Sequence, residues 1–145
     1  MGIADILFQK NKAKAEKNLQ EGVDFLAQNK TKEGVVALES GLQYEIIVPA
    51  EGEKRATPSC KVTCHYAGKL LNGKEFDSSI KRGVPATFPL DRVIAGWTEG
   101  LQLMPIGSTF RFYIPSDLAY GNRQVGSDIP PNSTLIFDVE LLGIQ

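Results

Sequence analysis

Two different spacings of hydrophobic and polar residues divide the chain near residue 38. Before that point Leu19, Val23 and Leu26 recur at helical spacing, while Lys14, Lys17, Glu21 and Asp24 occupy the other faces. Ile3, Ile6 and Leu7 add apolar surface near the start. The spacing predicts a helix from Ile3 to about Asn29, interrupted at Gly22, where glycine costs about 1 kcal/mol relative to alanine. An isolated helix of this length is marginal in water, so it needs a surface to pack on. That surface is the rest of the chain, a second copy of it, or nothing stable. Residues 29–34 are polar and read as a link.

From Gly41 the period shortens to two. Leu42, Tyr44 and Ile46 share one parity and Gln43 and Glu45 the other, which predicts a half-buried strand. Residues 49–58 are charged and turn-like. Cys60, Val62, Cys64 and Tyr66 then alternate with Lys61, Thr63, His65 and Ala67, predicting a strand that ends at Gly68. Phe110, Phe112 and Ile114 repeat the alternation until Pro115 stops it. Leu135, Phe137, Val139 and Leu141 repeat it again, with Asp138 and Glu140 opposite. Only the segment 90–101 breaks the rhythm: Val93, Trp97 and Leu101 fall on one helical stripe, and Asp91 is placed to cap it. The expectation is an α+β fold, an antiparallel sheet closing over one short helix, preceded by an N-terminal helix. The division is residues 1–38 as helical extension and link, and residues 39–145 as the β-rich domain.

Composition narrows the function. A chain of 145 residues supports one core and an appendage. With 16 basic against 17 acidic residues, interspersed, it has no stripe for nucleic acid, and no apolar run is long enough to span a bilayer. The start lacks the order of a secretory signal, so the chain reads as soluble and cytoplasmic, or as periplasmic if a leader was removed. Cys60 and Cys64 lie roughly 13 Å apart at strand rise, too far to bridge, and read as packed or partly exposed thiols.

Enzyme chemistry based on a nucleophile or a metal finds little support. Ser116, Asp117 and His65 have the atoms of a hydrolase triad without a G-x-S-x-G elbow. One histidine and two strand cysteines lack ligand spacing, so no metal and no cofactor is expected. Gly107, Gly121 and Gly126 do not form a phosphate loop. What is concentrated instead is aromatic: Tyr66, Phe76, Trp97, Tyr120 and Phe137, with Asp77, stand at strand ends, loops and a helix start. Each is by default a core residue. Together with Pro130 and Pro131 they admit a cleft for an apolar group held by one or two hydrogen bonds.

Several segments resemble one family. They are Val62-x-x-His65-Tyr66-x-Gly68-x-Leu70, Asn72-Gly73-Lys74-x-Phe76-Asp77-Ser78-Ser79, Val93-Ile94-x-Gly96-Trp97-x-Glu99-Gly100, Leu118-Ala119-Tyr120-Gly121, and Ile129-Pro130-Pro131-Asn132 followed by Leu135-x-Phe137-x-Val139-Glu140. In order and spacing these resemble the FKBP-type peptidyl-prolyl cis-trans isomerases. Ser40-Gly41-Leu42-Gln43-Tyr44 and Gly100-Leu101-Gln102-Leu103-Met104 narrow the resemblance to the bacterial macrophage-infectivity-potentiator group.

The resemblance implies a half-barrel of five or six strands around the short helix, and rotation of X-Pro bonds that assists folding. Trp97 would form the floor of the cleft, with Tyr66, Phe76, Val93, Ile94, Ile129 and Phe137 as walls. Tyr120 would offer its hydroxyl at the rim, Asp77 would orient Tyr66, and Arg82 would support Asp77 or stand as a solvated loop cation. The implied catalytic set is Asp77, Tyr120, Tyr66, Trp97 and Phe137. The implied partners are proline-containing peptides, unfolded proteins and macrolide inhibitors, with a weak homodimer through the N-terminal helix. Two departures bear on macrolide affinity and on the residue preferred before proline: Ala86 replaces an aromatic wall residue of many relatives, and the tip 124–128 is polar.

Overall fold

The structure, a computed structural model, describes residues 2–145. Helix α1 spans Ile3–Asn29 without a break at Gly22. Gly22 is a packing site: a Cβ there would fall well inside contact distance of the Thr134 hydroxyl. The helix rises about 40 Å, and its last half lies on the chain's own sheet. There Phe25 meets Tyr113 with ring centroids 5.9 Å apart. Of the two surfaces the sequence left open, this half uses its own domain. Ile3, Ile6, Leu7 and Phe8 at the other end are exposed.

Seven strands follow: β1 Val35–Ala37, β2 Gln43–Val48, β3 Lys61–Leu70, β4 Glu75–Ser78, β5 Ala86–Pro89, β6 Thr109–Ile114 and β7 Leu135–Ile144. All pair antiparallel, in the order β1-β2-β6-β7-β3-β4, with β5 added to β3. The strand count exceeds the five or six expected, because β1 forms within the segment read as extension and link. β3 also runs two residues past Gly68. Gly68 sits inside it because a Cβ would meet Phe137 at 2.5 Å and Phe76 at 2.8 Å.

Alternation buries Val62, Cys64 and Tyr66 from β3, Phe110, Phe112 and Ile114 from β6, and Leu135, Phe137, Val139 and Leu141 from β7. Against this face packs α3, Ala95–Leu101, which buries Trp97 and Leu101. Gly96 and Gly100 let it approach: Cβ atoms there would meet Ile114 at 2.6 Å and Phe112 at 2.5 Å.

Two local expectations change. On β2 the alternation holds only in part: Leu42 is fully buried and Tyr44 packs on the core as expected, but Gln43 is buried too and Ile46 is 52% exposed. Near Gln43 the sheet is covered by α1 as well as by the core, and the buried amide is satisfied: it accepts from Asn29 Nδ2 (2.9 Å) and donates to the Leu26 carbonyl (2.9 Å). Ile46 lies beyond that cover, at a register shift. Asp91 does not cap α3 but belongs to a separate 3-10 turn, Leu90–Arg92; the helix starts from Ile94, whose carbonyl accepts from Trp97 N–H (2.9 Å).

A four-residue helix, α2 (Ser79–Arg82), joins β4 to β5; Ser78 caps it by accepting from the Lys81 N–H, and Gly83 closes it at φ 75°. Cys60 and Cys64 are free thiols, as expected from their spacing. No described helix is long and apolar enough to cross a membrane.

Candidate functional site

A cavity of about 310 Å³ opens where β3, β4, β5, β7 and the start of α3 converge, lined by Tyr66, Phe76, Asp77, Phe88, Arg92, Val93, Ile94, Trp97, Tyr120 and Phe137. Strand parity directs Tyr66 and Phe137 to one side of the sheet, and α3 raises Trp97 between them. Trp97 makes edge-to-face contacts with Tyr66, Phe88 and Phe137, at centroid distances of 5.2, 5.6 and 5.3 Å. Phe76 meets Phe137 edge-on at 5.5 Å. Such pairs add about 0.5–1.5 kcal/mol each beyond burial and fix ring orientation. The Trp97 indole N–H is buried and has no hydrogen-bond partner among the described residues. The floor is therefore held by shape, not by polar contacts.

One wall is polar. The Tyr66 hydroxyl donates to Asp77 Oδ2 (2.7 Å) and accepts from Arg82 Nη2 (2.9 Å), while Arg82 Nη1 pairs with Asp77 Oδ1. Partial burial works to raise the Asp77 carboxyl, but the hydrogen bonds from Tyr66 and Arg82 and the guanidinium charge outweigh it and hold the group below its ordinary range. Burial and the Asp77 carboxylate together push Tyr66 upward. Below them Ser79, fully buried, accepts from the Tyr66 N–H (2.7 Å) and shares a hydrogen bond with His65 Nδ1 (3.0 Å), pinning α2 to β3. The His65 ring is thus engaged by Ser79, and among the described residues it makes no hydrogen bond to Ser116 or Asp117.

Of the expected residues, Tyr66, Phe76, Asp77, Val93, Ile94, Trp97, Tyr120 and Phe137 meet at the cavity. Arg82 stands behind the wall, bonded to two of its members. Ile129 is buried in the core and is not among the residues lining the cavity. Phe88 and Arg92 were missed. Phe88 also revises the reading of Ala86: on β5 the two share a parity, and Phe88 supplies an aromatic wall. Only its alternation with Thr87 and Pro89 in a four-residue strand could have signalled it. Among the described residues no group of three or more His, Cys, Asp or Glu is placed to hold a metal.

Fold and cavity together define an α+β half-barrel with an aromatic cleft and one charged, hydrogen-bonded wall. The chain belongs to the FKBP-type peptidyl-prolyl cis-trans isomerase family, whose model matches residues 52–142; a second model, of the domain amino-terminal to that isomerase, matches residues 3–46. It is similar to the FKBP-type isomerase FkpA of Aeromonas hydrophila, 55% identical over 139 residues, which cover 92% of this chain and 51% of that one. It is also similar to the outer membrane protein MIP of Legionella longbeachae, 52% identical over 91% of this chain and 56% of that protein. Among solved structures, FkpA of Escherichia coli superposes with a TM-score of 0.89 at 42% identity, over 94% of this chain and 63% of that one. A peptidyl-prolyl isomerase of Pseudomonas syringae pv. tomato gives 0.83 at 38% identity, over 90% and 96%. The chain thus spans about half the length of the curated relatives it matches.

Proposed function

We propose that the chain catalyses cis-trans rotation of X-Pro peptide bonds in this cleft and so assists folding of proline-containing clients. The observation that carries the reading is the Trp97 floor enclosed by Tyr66, Phe88 and Phe137 beside an ionised Asp77. The barrier is lost amide resonance, about 18–20 kcal/mol in water, and no covalent bond breaks. No nucleophile is needed. A proline ring seated on Trp97 leaves the preceding carbonyl free to turn, and a site that excludes water favours the less polar twisted amide over the planar one. Tyr120 donates its hydroxyl to a substrate carbonyl. Asp77, fixed by Arg82, holds Tyr66 in place and presents a constant charge to the turning dipole.

Protease-free turnover of a labelled X-Pro peptide, scanning X and adding a macrolide competitor, tests the reading. Turnover that the macrolide suppresses supports it; absence of turnover removes it. The polar wall also sets a pH profile. With Asp77 held below the ordinary carboxylate value and Tyr66 above the ordinary phenol value, neither titrates between about pH 5 and 9. kcat/KM should be flat across that window, and an inflection near neutrality would contradict the wall's role. The depressed Asp77 contributes stability above its unfolded value that is lost as pH falls through the lower folded one, so this contribution fades only below about pH 4.

We further infer a weak homodimer through the first half of α1, supported by Ile3, Ile6, Leu7 and Phe8, which are exposed together near its start. Removing residues 1–38 would also delete β1 and unseat Gln43, so substitutions in the full chain are the cleaner test. Sedimentation should show association that Leu7→Glu with Phe8→Glu abolishes. Identical monomer masses for both would reject the dimer.

A further inference from the structure

The segment between Tyr120 and Thr134 closes on itself and is then fastened to α1. Asn132 adopts φ 59°, the one non-glycine residue at positive φ among the described residues. Its backbone N–H donates to the Gly121 carbonyl (2.8 Å), so the loop begins and ends beside Tyr120. Its tip is held by the Val125–Ile129 bridge and an exposed Lys74–Asp128 ion pair (3.3 Å). Its base is held differently. The Asn132 side-chain amide donates to the Ala15 carbonyl of α1 (3.0 Å), and the Asn18 amide of α1 donates back to the Pro131 carbonyl (3.0 Å). One turn further along the helix, the missing side chain of Gly22 admits Thr134, the residue just before β7.

This seam is more specific than docking requires. Two amides point in opposite directions across it, each serving a main-chain carbonyl. A residue in a backbone conformation rarely adopted by non-glycine residues carries one of them. That same residue grips Gly121, whose N–H in turn donates to Ser116 (2.8 Å). Tyr120 therefore sits between two anchored points, and one of those points is anchored on α1.

We propose that α1 is a positioning element for the cleft, acting through the Asn18 and Asn132 clasp to fix the loop base and with it the rim at Tyr120. The proposal rests on the X-Pro reading for its kinetic readout and on hydrogen exchange for a readout independent of it. Asn132→Gly keeps the positive φ and removes the clasp; Asn132→Asp keeps the shape and turns a carboxylate toward the Ala15 carbonyl; Asn18→Ala removes the other strand of the clasp. Each should raise KM roughly threefold to tenfold with kcat within about twofold, because a rim hydrogen bond is weakened while the floor is untouched. Amides of residues 122–129 should exchange at least about tenfold faster, as local opening becomes easier.

Gly22→Ala, which pushes the helix from Thr134 with both asparagines intact, should reproduce the pattern. Circular dichroism identifies any variant that fails to fold, and the remaining ones decide the matter. Folded variants with wild-type KM and wild-type loop exchange would overturn the proposal. If the wild-type chain turned over no X-Pro peptide, the proposed activity would fall while the exchange data still judged the clasp.

Discussion

Phe137→Ala is expected to lower kcat/KM for an X-Pro peptide by about 10- to 100-fold, the largest catalytic effect of any single change in the cleft. The ring is buried and touches Tyr66, Phe76 and Trp97. Removing it takes away one wall and lets water reach the floor. Apolar contact of one such side chain is worth about 1.5–3 kcal/mol, which converts to that range at about 1.4 kcal/mol per tenfold. Tyr120→Phe deletes one proposed hydrogen bond to the substrate, worth about 0.5–1.5 kcal/mol net. Asp77→Ala deletes a carboxylate that is bonded to Tyr66 and Arg82 and acts on the substrate only through its charge and through Tyr66. Losses of roughly twofold to tenfold are expected for each. Continuous assays of the three variants check the ranking. Loss of all turnover in Asp77→Ala beside a harmless Phe137→Ala would mean that the polar group, not the pocket, does the work. Stability falls as well, by about 3–5 kcal/mol for a buried Phe→Ala, so turnover is compared at a temperature where the variant is folded.

Gly68→Ala is expected to damage the same wall from the opposite side. An added methyl would stand 2.5 Å from Phe137 and 2.8 Å from Phe76, and neither ring can retreat without disturbing their edge-to-face pair. Overpacking of this kind costs about 1–3 kcal/mol in stability. A denaturant midpoint shift of that size should accompany a raised KM, since the displaced rings narrow the cleft. A KM equal to wild type in a destabilised variant would show that Phe76 and Phe137 are core residues whose orientation the substrate does not read. The strand itself tolerates alanine, so both effects come from the packing.

The long strands were legible where one face is buried and the other wet: β3, β6 and β7 follow their alternation but depart from it at Tyr113 and Ile136, outward residues that are buried as well, Tyr113 against Phe25 of α1. The helical stripe was legible only at Trp97 and Leu101, because Val93 is extended and lies before α3 begins. Legibility failed where a second layer intervened. Gln43 looks like a solvent residue until α1 lies over it, and Ile46 looks buried until the register shift carries it past the cover. Gly22 reads as a flaw in a helix and proves to be where that helix meets Thr134.

The cleft was legible through its motif order rather than through periodicity. Phe88 and Arg92 lie in segments too short for a period to show. The clasp was invisible for another reason. Asn18 and Asn132 are more than a hundred positions from their partners, and asparagine in a loop or on a helix face otherwise looks solvated.

The most direct test of the central claim is exchange NMR of an X-Pro peptide with the chain at substoichiometric concentration. Catalysis predicts cis-trans exchange faster than the uncatalysed tens to hundreds of seconds with the equilibrium cis fraction unchanged, and an acceleration about 10- to 100-fold weaker at the same chain concentration when Phe137 is replaced by alanine. Binding that shifts peptide resonances without accelerating exchange would contradict it and leave the cleft a site that holds proline without turning it.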